Sequence, residues 1–353
     1  MLKLKKMKIK INNRLIGTGE PCFIIAEAGI NHNGDIQLAK KLVDVAKKAN
    51  VDAIKFQTYK SEEVAIKDIG LADYAKKNIK KNLSQLDMIK LYELQYDDFI
   101  VLKEYCDKKK IIFLSTPHSF DAIDFLEKIV PAYKFGSGDI TNIPALKYAA
   151  KKGKPIILGT GMSILKEVKS AIKAIISEGN NQIIVLHCTT NYPCPFEEVN
   201  LKAMVTMQWN LNCIVGYSDH TLGIIVPIMA VALGASVIEK HFTMDRNLPG
   251  PDHKASLEPE KLQQMVESIR NVEKALGSDK KKPTISEKEI MRLVRKSIVS
   301  KQEIDKGTIL KREMLTIKRP GTGMQSIEIE KLIGKKTKRQ IFRDEIFSSN
   351  MVE

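Results

Sequence analysis

The chain has 353 residues, and its hydrophobic fraction of 43% is typical of a soluble globular protein with one large domain and one small domain. Its formal net charge of +15 comes without an RNP, KH or helix-turn-helix signature, so a nucleic-acid role ranks last among the possible functions. No apolar run is long enough to span a bilayer, which argues against a membrane protein.

The N-terminal segment and the cysteines indicate the compartment. Residues 1–10 alternate lysine with apolar residues and lack the apolar stretch of a secretory signal, so they predict a short edge strand. The five cysteines are scattered without CxxC spacing, and such an odd, unpatterned set predicts reduced thiols. We therefore expect a cytoplasmic location.

From residue 23 onward one unit recurs eight times: a short apolar, β-branched run with a polar or glycine-bearing end, followed by an amphipathic stretch. The runs are 23–30, 53–58, 111–117, 132–138, 155–161, 183–189, 213–220 and 237–243. Continuous apolar runs are typical of parallel strands buried on both faces. Eight such units over about 250 residues predict a (β/α)8 TIM barrel.

Two of the amphipathic stretches also show helix-end signals. Residues 35–50 and 163–179 place apolar side chains three and four positions apart. Asp35 and Ser163 stand where N-caps are expected, and Gly179 stands where a glycine ends a helix.

The repeating pattern ends near residue 277. Segment 278–289 is charged and polar with one proline, which predicts a linker. Residues 290–353 contain short alternating pieces separated by DKG and PGTG turns, which predict a small β-rich domain with short helices. The sequence thus predicts a barrel over 1–277, a linker over 278–289 and a second domain over 290–353.

Polar residues are concentrated at the predicted C-terminal strand ends, where barrels of this type place their active sites. They include Glu27, Lys55, Gln57, Thr116, Lys134, Ser137, Asp139, Ser218, His220, Glu239 and His241. An unpaired charge is costly to bury, so the two lysines and two glutamates must pair with one another or with a ligand. A purely structural ion network remains the alternative at this point.

Two kinds of ligand fit these strand ends. His220 and His241 end adjacent strands about 4.8 Å apart, so they are either hydrogen-bonded histidines or the ligands of one open divalent ion site. His187 lacks such a partner and is expected in the core or behind the site. Lys55 and Lys134, with hydroxyls and glycine-rich strand ends, form an anion site that suits a small molecule carrying carboxylate and phosphate.

Nine motifs, in order, resemble the sialic acid synthase family, which includes N-acetylneuraminate, legionaminate and pseudaminate synthases. They are EAGINHNGD, KFQT, STP, KFGSGD, GTGM, HCTTNYP, GYSDHT, EKHFT and PGPDHKAS, within residues 27–256. Members carry a C-terminal antifreeze-like (SAF) domain, and residues 290–353 with KRPGTGM at 318–324 resemble it. The resemblance covers nearly the whole chain.

The resemblance implies a transferase that condenses phosphoenolpyruvate with an N-acetylmannosamine-type sugar and releases phosphate by C–O cleavage. It implies a divalent metal, with Mn²⁺ preferred over Mg²⁺ or Co²⁺, and a domain-swapped homodimer. Glu27 is implied as acid/base, and His220 and His241 as metal ligands. The residues implied for phosphoenolpyruvate are Lys55, Thr116, Lys134, Ser137 and Ser218; those implied for the sugar are Gln57, Asp139, Thr190, Tyr192, Asp252 and, from the partner subunit's SAF domain, the arginine at position 319, Arg319.

Three positions depart from the family pattern, and two other functions compete. Asp139 replaces a common glutamate, Gly159 a serine and Thr190 an asparagine, which leaves the exact sugar open between N-acetylmannosamine and the diacetamido precursor of legionaminate. The pseudaminate branch fits HCTTNYPCPF less well. A class I aldolase with Lys55 or Lys134 as Schiff base is a rival, as is a non-catalytic sugar or ice binder.

Overall fold

The computed structural model describes residues 7–66, 70 and 83–353. The chain divides into two compact units, Met1–Gly277 and Ser278–Glu353. Near the N-terminus, β1 (Lys8–Ile11) and β2 (Arg14–Gly17) form an antiparallel hairpin. The edge strand predicted over 1–10 therefore falls partly outside the described residues, and its described part pairs with β2.

Eight parallel strands form the sheet of the first unit. They are β3 (Phe23–Gly29), β4 (Ala53–Thr58), β5 (Ile112–Pro117), β6 (Tyr133–Phe135), β7 (Ile156–Gly159), β8 (Ile183–His187), β9 (Ile214–Asp219) and β10 (Val237–His241). Their order is β5-β4-β3-β10-β9-β8-β7-β6, and the two end strands, consecutive in the chain, contact each other. The sheet is thus a nearly closed barrel, and the predicted fold class is confirmed.

Helices surround this sheet. They are α1 (Ile36–Lys48), α2 (Ser61–Val64), α3 (Gln85–Lys90), α4 (Tyr96–Lys109), α5 (Phe120–Glu127), α6 (Ile143–Lys151), α7 (Leu165–Ser177), α8 (Leu201–Asn210), α9 (Ile225–Ala232) and α10 (Pro259–Leu276). None of the helices in the described ranges is long and apolar enough to cross a membrane.

The alternation of strand side chains produces two apolar layers. One layer lies between strands and helices and includes Ile24 and Phe56. The other lies inside the barrel, where Ile25 and Ile157 pack with Ile11 of the hairpin. The hairpin therefore covers the N-terminal end of the barrel, and the opposite end is left for polar residues.

Helix-end signals from the sequence were partly correct. The Asp35 side chain accepts a hydrogen bond from the Gln37 amide at 2.7 Å, and Gly179, with φ of +84°, follows α7, so both predictions are confirmed. Ser163 is not an N-cap, because its hydroxyl donates to the Thr160 carbonyl at 2.7 Å. The α7 terminus is capped instead by Glu167, whose carboxylate accepts from the Ile164 amide at 2.8 Å.

The second unit contains α11 (Ile285–Val294) and an antiparallel pair, β11 (Ser297–Ser300) and β12 (Leu315–Lys318), around a small core that includes Ile298, Ile341 and Phe347. Helix α11 begins inside the segment predicted to be a linker. Thr284 and Glu287 form a reciprocal capping box there, which is a helix-start signal in the sequence TISE.

Candidate active site

A cavity of about 270 Å³ lies at the C-terminal ends of the barrel strands. All the predicted site residues of the barrel line it except Asp139. Those that line it are Glu27, Lys55, Gln57, Thr116, Lys134, Ser137, Thr190, Tyr192, Ser218, His220, His241 and Asp252. Seven of the eight strands, with the segments that follow them, thus bring side chains that are far apart in sequence to one opening, and β7 contributes Gly159.

Four buried charges form a chain across the cavity floor. Lys55 Nζ lies 2.6 Å from Glu27 Oε2 and 3.8 Å from Glu239 Oε2, and Lys134 Nζ lies 3.2 Å from Glu239 Oε1. All four residues are buried. An isolated buried charge is costly, so buried residues of this kind are expected to pair. The sequence predicted that they pair with one another or with a ligand, and in this structure they pair with one another.

Strand register produces this arrangement. Glu27 pairs with Lys55 across β3 and β4, and with His241 across β3 and β10. Glu239 pairs with Ser218 across β9 and β10, and the Ser218 hydroxyl donates to Glu239 Oε1 at 3.0 Å. Residues in register on parallel strands share a level and a face, so the contact between Glu27 and Lys55 follows from the sheet itself. Lys134 lies on β6, which does not neighbour β10, and it reaches Glu239 across the barrel.

The two glutamates have opposite pKa shifts. Burial raises the pKa of Glu27 to about 7, although Lys55 acts against this rise. Burial would also raise the pKa of Glu239, but Lys134 and Lys55 lower it to about 2. Burial lowers the pKa of Lys55, but the two carboxylates outweigh this and raise it. Near neutral pH the set therefore has one fixed carboxylate and one carboxyl that exchanges its proton.

The ends of β6, β7 and β8 form a narrow polar wall. The Gly161 amide donates to Ser137 Oγ at 2.9 Å and to Cys188 Sγ at 3.1 Å. A Cβ on Gly161 would lie 2.2 Å from Thr190 Oγ1, so only glycine fits there. Thr190 Oγ1 is buried and has no hydrogen-bond partner among the described residues, which leaves it available to a ligand.

The His220 and His241 rings lie side by side, with centroids 5.5 Å apart. His220 Nδ1 hydrogen-bonds the Thr189 carbonyl at 2.6 Å, so it carries the proton and Nε2 keeps a lone pair. Burial lowers the pKa of His220 to about 4 and lowers that of His241 well below its usual range, so both rings are neutral. Asp252 Oδ2 lies 3.9 Å from His241 Nδ1.

This donor set fits an open metal site. Two neutral imidazoles offer nitrogen lone pairs, and His241 Nδ1 is buried without a hydrogen-bond partner within the described chain. No group of three or more His, Cys, Asp or Glu side chains that could hold a metal occurs in residues 7–66, 70 and 83–353. The residues therefore suit an ion whose other positions are filled by water or substrate oxygen.

Asp139 and Arg319 are the predicted site residues that do not line the cavity. Asp139 lies in the 3-10 turn Ser137–Asp139 after β6, where its carboxylate accepts from Asn142 Nδ2 at 3.4 Å. Arg319 is exposed and follows β12 in the second unit. His187, expected in the core or behind the site, hydrogen-bonds the Val199 carbonyl at 3.0 Å and does not line the cavity.

Several lining residues were not among the predicted site residues. Glu239 was considered only as a pairing partner, and His118 directly follows the Ser-Thr-Pro end of β5, so strand-end position could have identified both. Ile30, Tyr59 and Cys188 also directly follow strands, namely β3, β4 and β8. Val64, Met88 and Ile89 come from α2 and α3 and carry no strand-end signal.

Comparisons with known proteins identify the family of the chain. Residues 42–281 match the NeuB family, and residues 295–353 match the SAF domain. The N,N'-diacetyllegionaminic acid synthase of Legionella pneumophila is 47% identical over 323 residues, 90% of this chain and 91% of that protein. The enzyme of the same name from Campylobacter jejuni is 44% identical over 327 residues, 92% of this chain and 98% of that protein.

A solved structure has the same architecture. The crystal structure of N-acetylneuraminic acid (sialic acid) synthetase from Leptospira borgpetersenii, in complex with citrate, superposes with a TM-score of 0.73 at 37% identity. The match covers 81% of this chain and 95% of that chain.

Proposed function

The chain belongs to the NeuB family, and on that premise we propose that it condenses phosphoenolpyruvate with an N-acetylmannosamine-type sugar to form a nonulosonic acid. The observation that carries the proposal is the buried chain of Glu27, Lys55, Glu239 and Lys134 at the mouth of the barrel. A carboxyl that holds its proton near neutral pH leaves this set with excess positive charge, which favours a multiply charged anion.

Phosphoenolpyruvate would occupy the side of the cavity that the lysines share with Thr116, Ser137 and Ser218. Lys55 Nζ donates to Thr116 Oγ1 at 3.2 Å. The ammonium and the hydroxyl are therefore close enough to bind the same anionic group of phosphoenolpyruvate. The Ser137 hydroxyl lies beside the Gly161 amide, where hydroxyl and amide donors can serve phosphate oxygens.

Glu27 can supply the proton transfers. As C3 of phosphoenolpyruvate attacks the aldehyde C1, the new alkoxide takes the Glu27 proton and C2 becomes an oxocarbenium. Water then adds to C2 and returns a proton to the Glu27 carboxylate. The C2–O bond to phosphate breaks, phosphate leaves with the proton of the C2 hydroxyl, and a C2 ketone remains. A carboxyl with a pKa near 7 suits both directions of transfer.

His220 and His241 would hold a divalent ion, with Mn²⁺ as first choice and Mg²⁺ or Co²⁺ as alternatives. The chemistry supplied by such an ion is Lewis acidity toward the aldehyde oxygen of the sugar. Thr189 orients His220 through its carbonyl, and the Tyr192 ring packs 4.1 Å from the His220 ring. We expect His220→Ala and His241→Ala to lose Mn²⁺ binding in an isotherm measured without substrates; unchanged binding would refute the assignment.

The oligomer and the compartment are also proposals. The family pattern places an arginine of one SAF domain in the partner's sugar site, and Arg319, exposed beyond β12, is the matching residue. We therefore propose a domain-swapped homodimer. The five cysteines are all free, which suits a reducing cytoplasm.

N,N'-diacetyllegionaminate synthesis is the second candidate. The two relatives of that name are 47% and 44% identical to this chain, against 37% for the sialic acid synthetase of known structure. Part of the cavity wall is apolar, with Ile30, Val64, Met88 and Ile89. Such a wall favours the methyl groups of a diacetamido-trideoxy sugar over a sugar with free hydroxyls at the same positions.

The test is phosphate release from phosphoenolpyruvate with Mn²⁺, comparing N-acetylmannosamine with 2,4-diacetamido-2,4,6-trideoxymannose. Faster release with the first sugar supports an N-acetylneuraminate synthase, and with the second a legionaminate synthase. No release with either sugar under any divalent ion would overturn the proposal. Borohydride trapping of a carbonyl substrate on Lys55 or Lys134 would then support the Schiff-base aldolase.

A further inference from the structure

A second charged pair lies behind the two histidines. Lys240 Nζ donates to Asp219 Oδ2 and to the Thr221 carbonyl, and neither charged side chain is exposed at all. Neither residue lines the cavity, because alternation along β9 and β10 turns both away from the barrel mouth. This pair therefore has no direct contact with a substrate in the cavity.

Its position in the sheet relates it to the histidines. Asp219 and Lys240 are partners in the β9–β10 register, and this is the last register pair between these strands. The next residue on each strand is a histidine of the cavity, His220 on one and His241 on the other. The ion pair thus joins the two strand ends one residue before both imidazoles, where the backbone ladder stops.

Asp219 also fixes the direction in which the chain leaves β9. Its Oδ1 accepts from the Thr221 amide at 3.1 Å, and its Oδ2 accepts from the Thr221 hydroxyl at 3.0 Å. His220 is thereby held between two bonded neighbours, while its own carbonyl accepts from the Cys194 amide at 2.8 Å. The backbone of His220 has little freedom to move relative to β10.

Stability is a weak reason for such a pair. A buried ion pair is often no more stabilising than apolar residues of similar volume, whereas its directional bonds define one geometry. When only two protein side chains bind a metal, its affinity depends strongly on the distance and orientation between them. No third protein ligand is present to compensate for a misplaced one. The location of the pair accordingly suits a role in geometry.

We propose that Asp219 and Lys240 form a clamp that positions the imidazoles of His220 and His241 to bind one divalent ion. Both act through the histidines and are positioning residues. The inference rests on the metal site of the proposed function, and it adds a function for two residues that touch neither substrate.

The test measures Mn²⁺ binding without substrates, by electron paramagnetic resonance titration, together with thermal unfolding. Lys240→Met should raise the Kd for Mn²⁺ by about 10- to 100-fold, as is usual when a residue that orients a metal ligand is lost. Lys240→Arg should recover part of the affinity. Asp219→Asn retains the side-chain shape and should stay folded, with a smaller rise in the Kd for Mn²⁺. It provides the test if Lys240→Met does not fold.

The control is Arg270→Met. Arg270 forms a partly buried ion pair with Asp52 at 3.2 Å, and neither residue lines the cavity. This variant should lower the unfolding temperature without changing the Kd for Mn²⁺. A Kd within twofold of the parent in folded Lys240→Met or folded Asp219→Asn overturns the clamp alone. Absence of His220-dependent Mn²⁺ binding in the parent overturns the metal site, and the clamp with it.

Discussion

Lys134 and Lys55 face different amounts of negative charge, and this difference separates their roles. Lys55 Nζ has Glu27 at 2.6 Å and Glu239 at 3.8 Å, whereas Lys134 Nζ has Glu239 at 3.2 Å as its ion-pair partner in the described chain. An incoming anion has less competition at Lys134. The anion-binding role should therefore depend most strongly on that residue.

Lys134→Ala should lower kcat/KM for phosphoenolpyruvate by about 100-fold or more, because a charge-assisted contact to the substrate is lost. The measurement is steady-state phosphate release at varied phosphoenolpyruvate, with the fold checked by circular dichroism. Lys152→Ala is the control, since Lys152 forms ion pairs with Asp124 and Glu127 on the surface. Equal kinetic constants in the Lys134 variant and the control would contradict the assignment.

The pKa of Glu27 gives a pH dependence with a defined sign. Burial raises this pKa to about 7, and the first proton transfer requires the protonated form. Activity should therefore be level below pH 7 and fall above it, about tenfold per pH unit. The profile of kcat/KM measures this. The residual activity of Glu27→Gln should not fall above pH 7. If the same fall persists in this variant, the titrating group is not Glu27.

Side-chain parity explains how much of the site the sequence predicts. Lys55 and Gln57 are two residues apart on β4, and such residues share a face of the strand. Their common orientation therefore follows from the position of the strand alone. Asp139 could not be placed in this way, because it follows β6 in a 3-10 turn whose geometry parity does not describe. Met88 and Ile89 reach the cavity from α3, which carries no strand-end signal.

At the scale of elements, the turn after β7 controls the distance between neighbouring strand ends. Gly161 has an ordinary negative-φ backbone, yet a Cβ there would lie 2.9 Å from Ser137 Oγ and 2.2 Å from Thr190 Oγ1. Any side chain at this position must displace the side chains of Thr190 and Ser137. Glycine is needed at this position so that the neighbouring segments can approach closely. Backbone strain is not the reason.

Gly161→Ala should reduce kcat/KM for phosphoenolpyruvate by at least about tenfold, because Ser137 and Thr190 would shift from the phosphate wall. Steady-state kinetics and thermal unfolding should be measured together. Gly179→Ala is the control, since Gly179 has φ of +84° and open space around its Cα. It should destabilise the protein by about 1 kcal/mol while leaving kcat/KM unchanged. A fully active Gly161→Ala enzyme would contradict the wall.

Helix termini show where short sequence signals are sufficient. Asp35 caps α1 as predicted, whereas α7 begins one residue later than predicted, with Ile164 at its N-cap and the Glu167 carboxylate bonded to the Ile164 amide. Thr284 and Glu287 cap a helix inside a segment whose charge and proline predicted a linker. Specific pairs of neighbouring side chains determine where these helices begin. The average composition of a segment does not reveal such pairs.

At the scale of the whole molecule, one residue that the family pattern assigns to the sugar site belongs to the second unit. The apolar wall and the ion chain come from the first unit, and Arg319 is in the second unit, exposed after β12. An exposed arginine carries little cost in water and has free donors for an amide carbonyl. The barrel sequence alone could not predict this contribution, because the residue would come from another copy of the chain.

Complementation between two inactive variants tests the proposed swap. Arg319→Ala leaves the barrel intact, and Lys134→Ala leaves the SAF domain intact, so each homodimer should be nearly inactive. In a swapped heterodimer one site has both Lys134 and the partner's Arg319, while the other has neither. Random co-assembly of the two chains should therefore restore about a quarter of the parent activity.

An arrangement within one chain predicts a different outcome. Each subunit would then carry its own defect, and the mixture would be as inactive as either variant alone. Co-expression with different affinity tags, followed by isolation of the doubly tagged species, doubles the expected recovery to about half, since every dimer then has one complete site. Recovery in the heterodimer thus requires that Arg319 act across the subunit boundary, and a sedimentation measurement showing a monomer would contradict the swap directly.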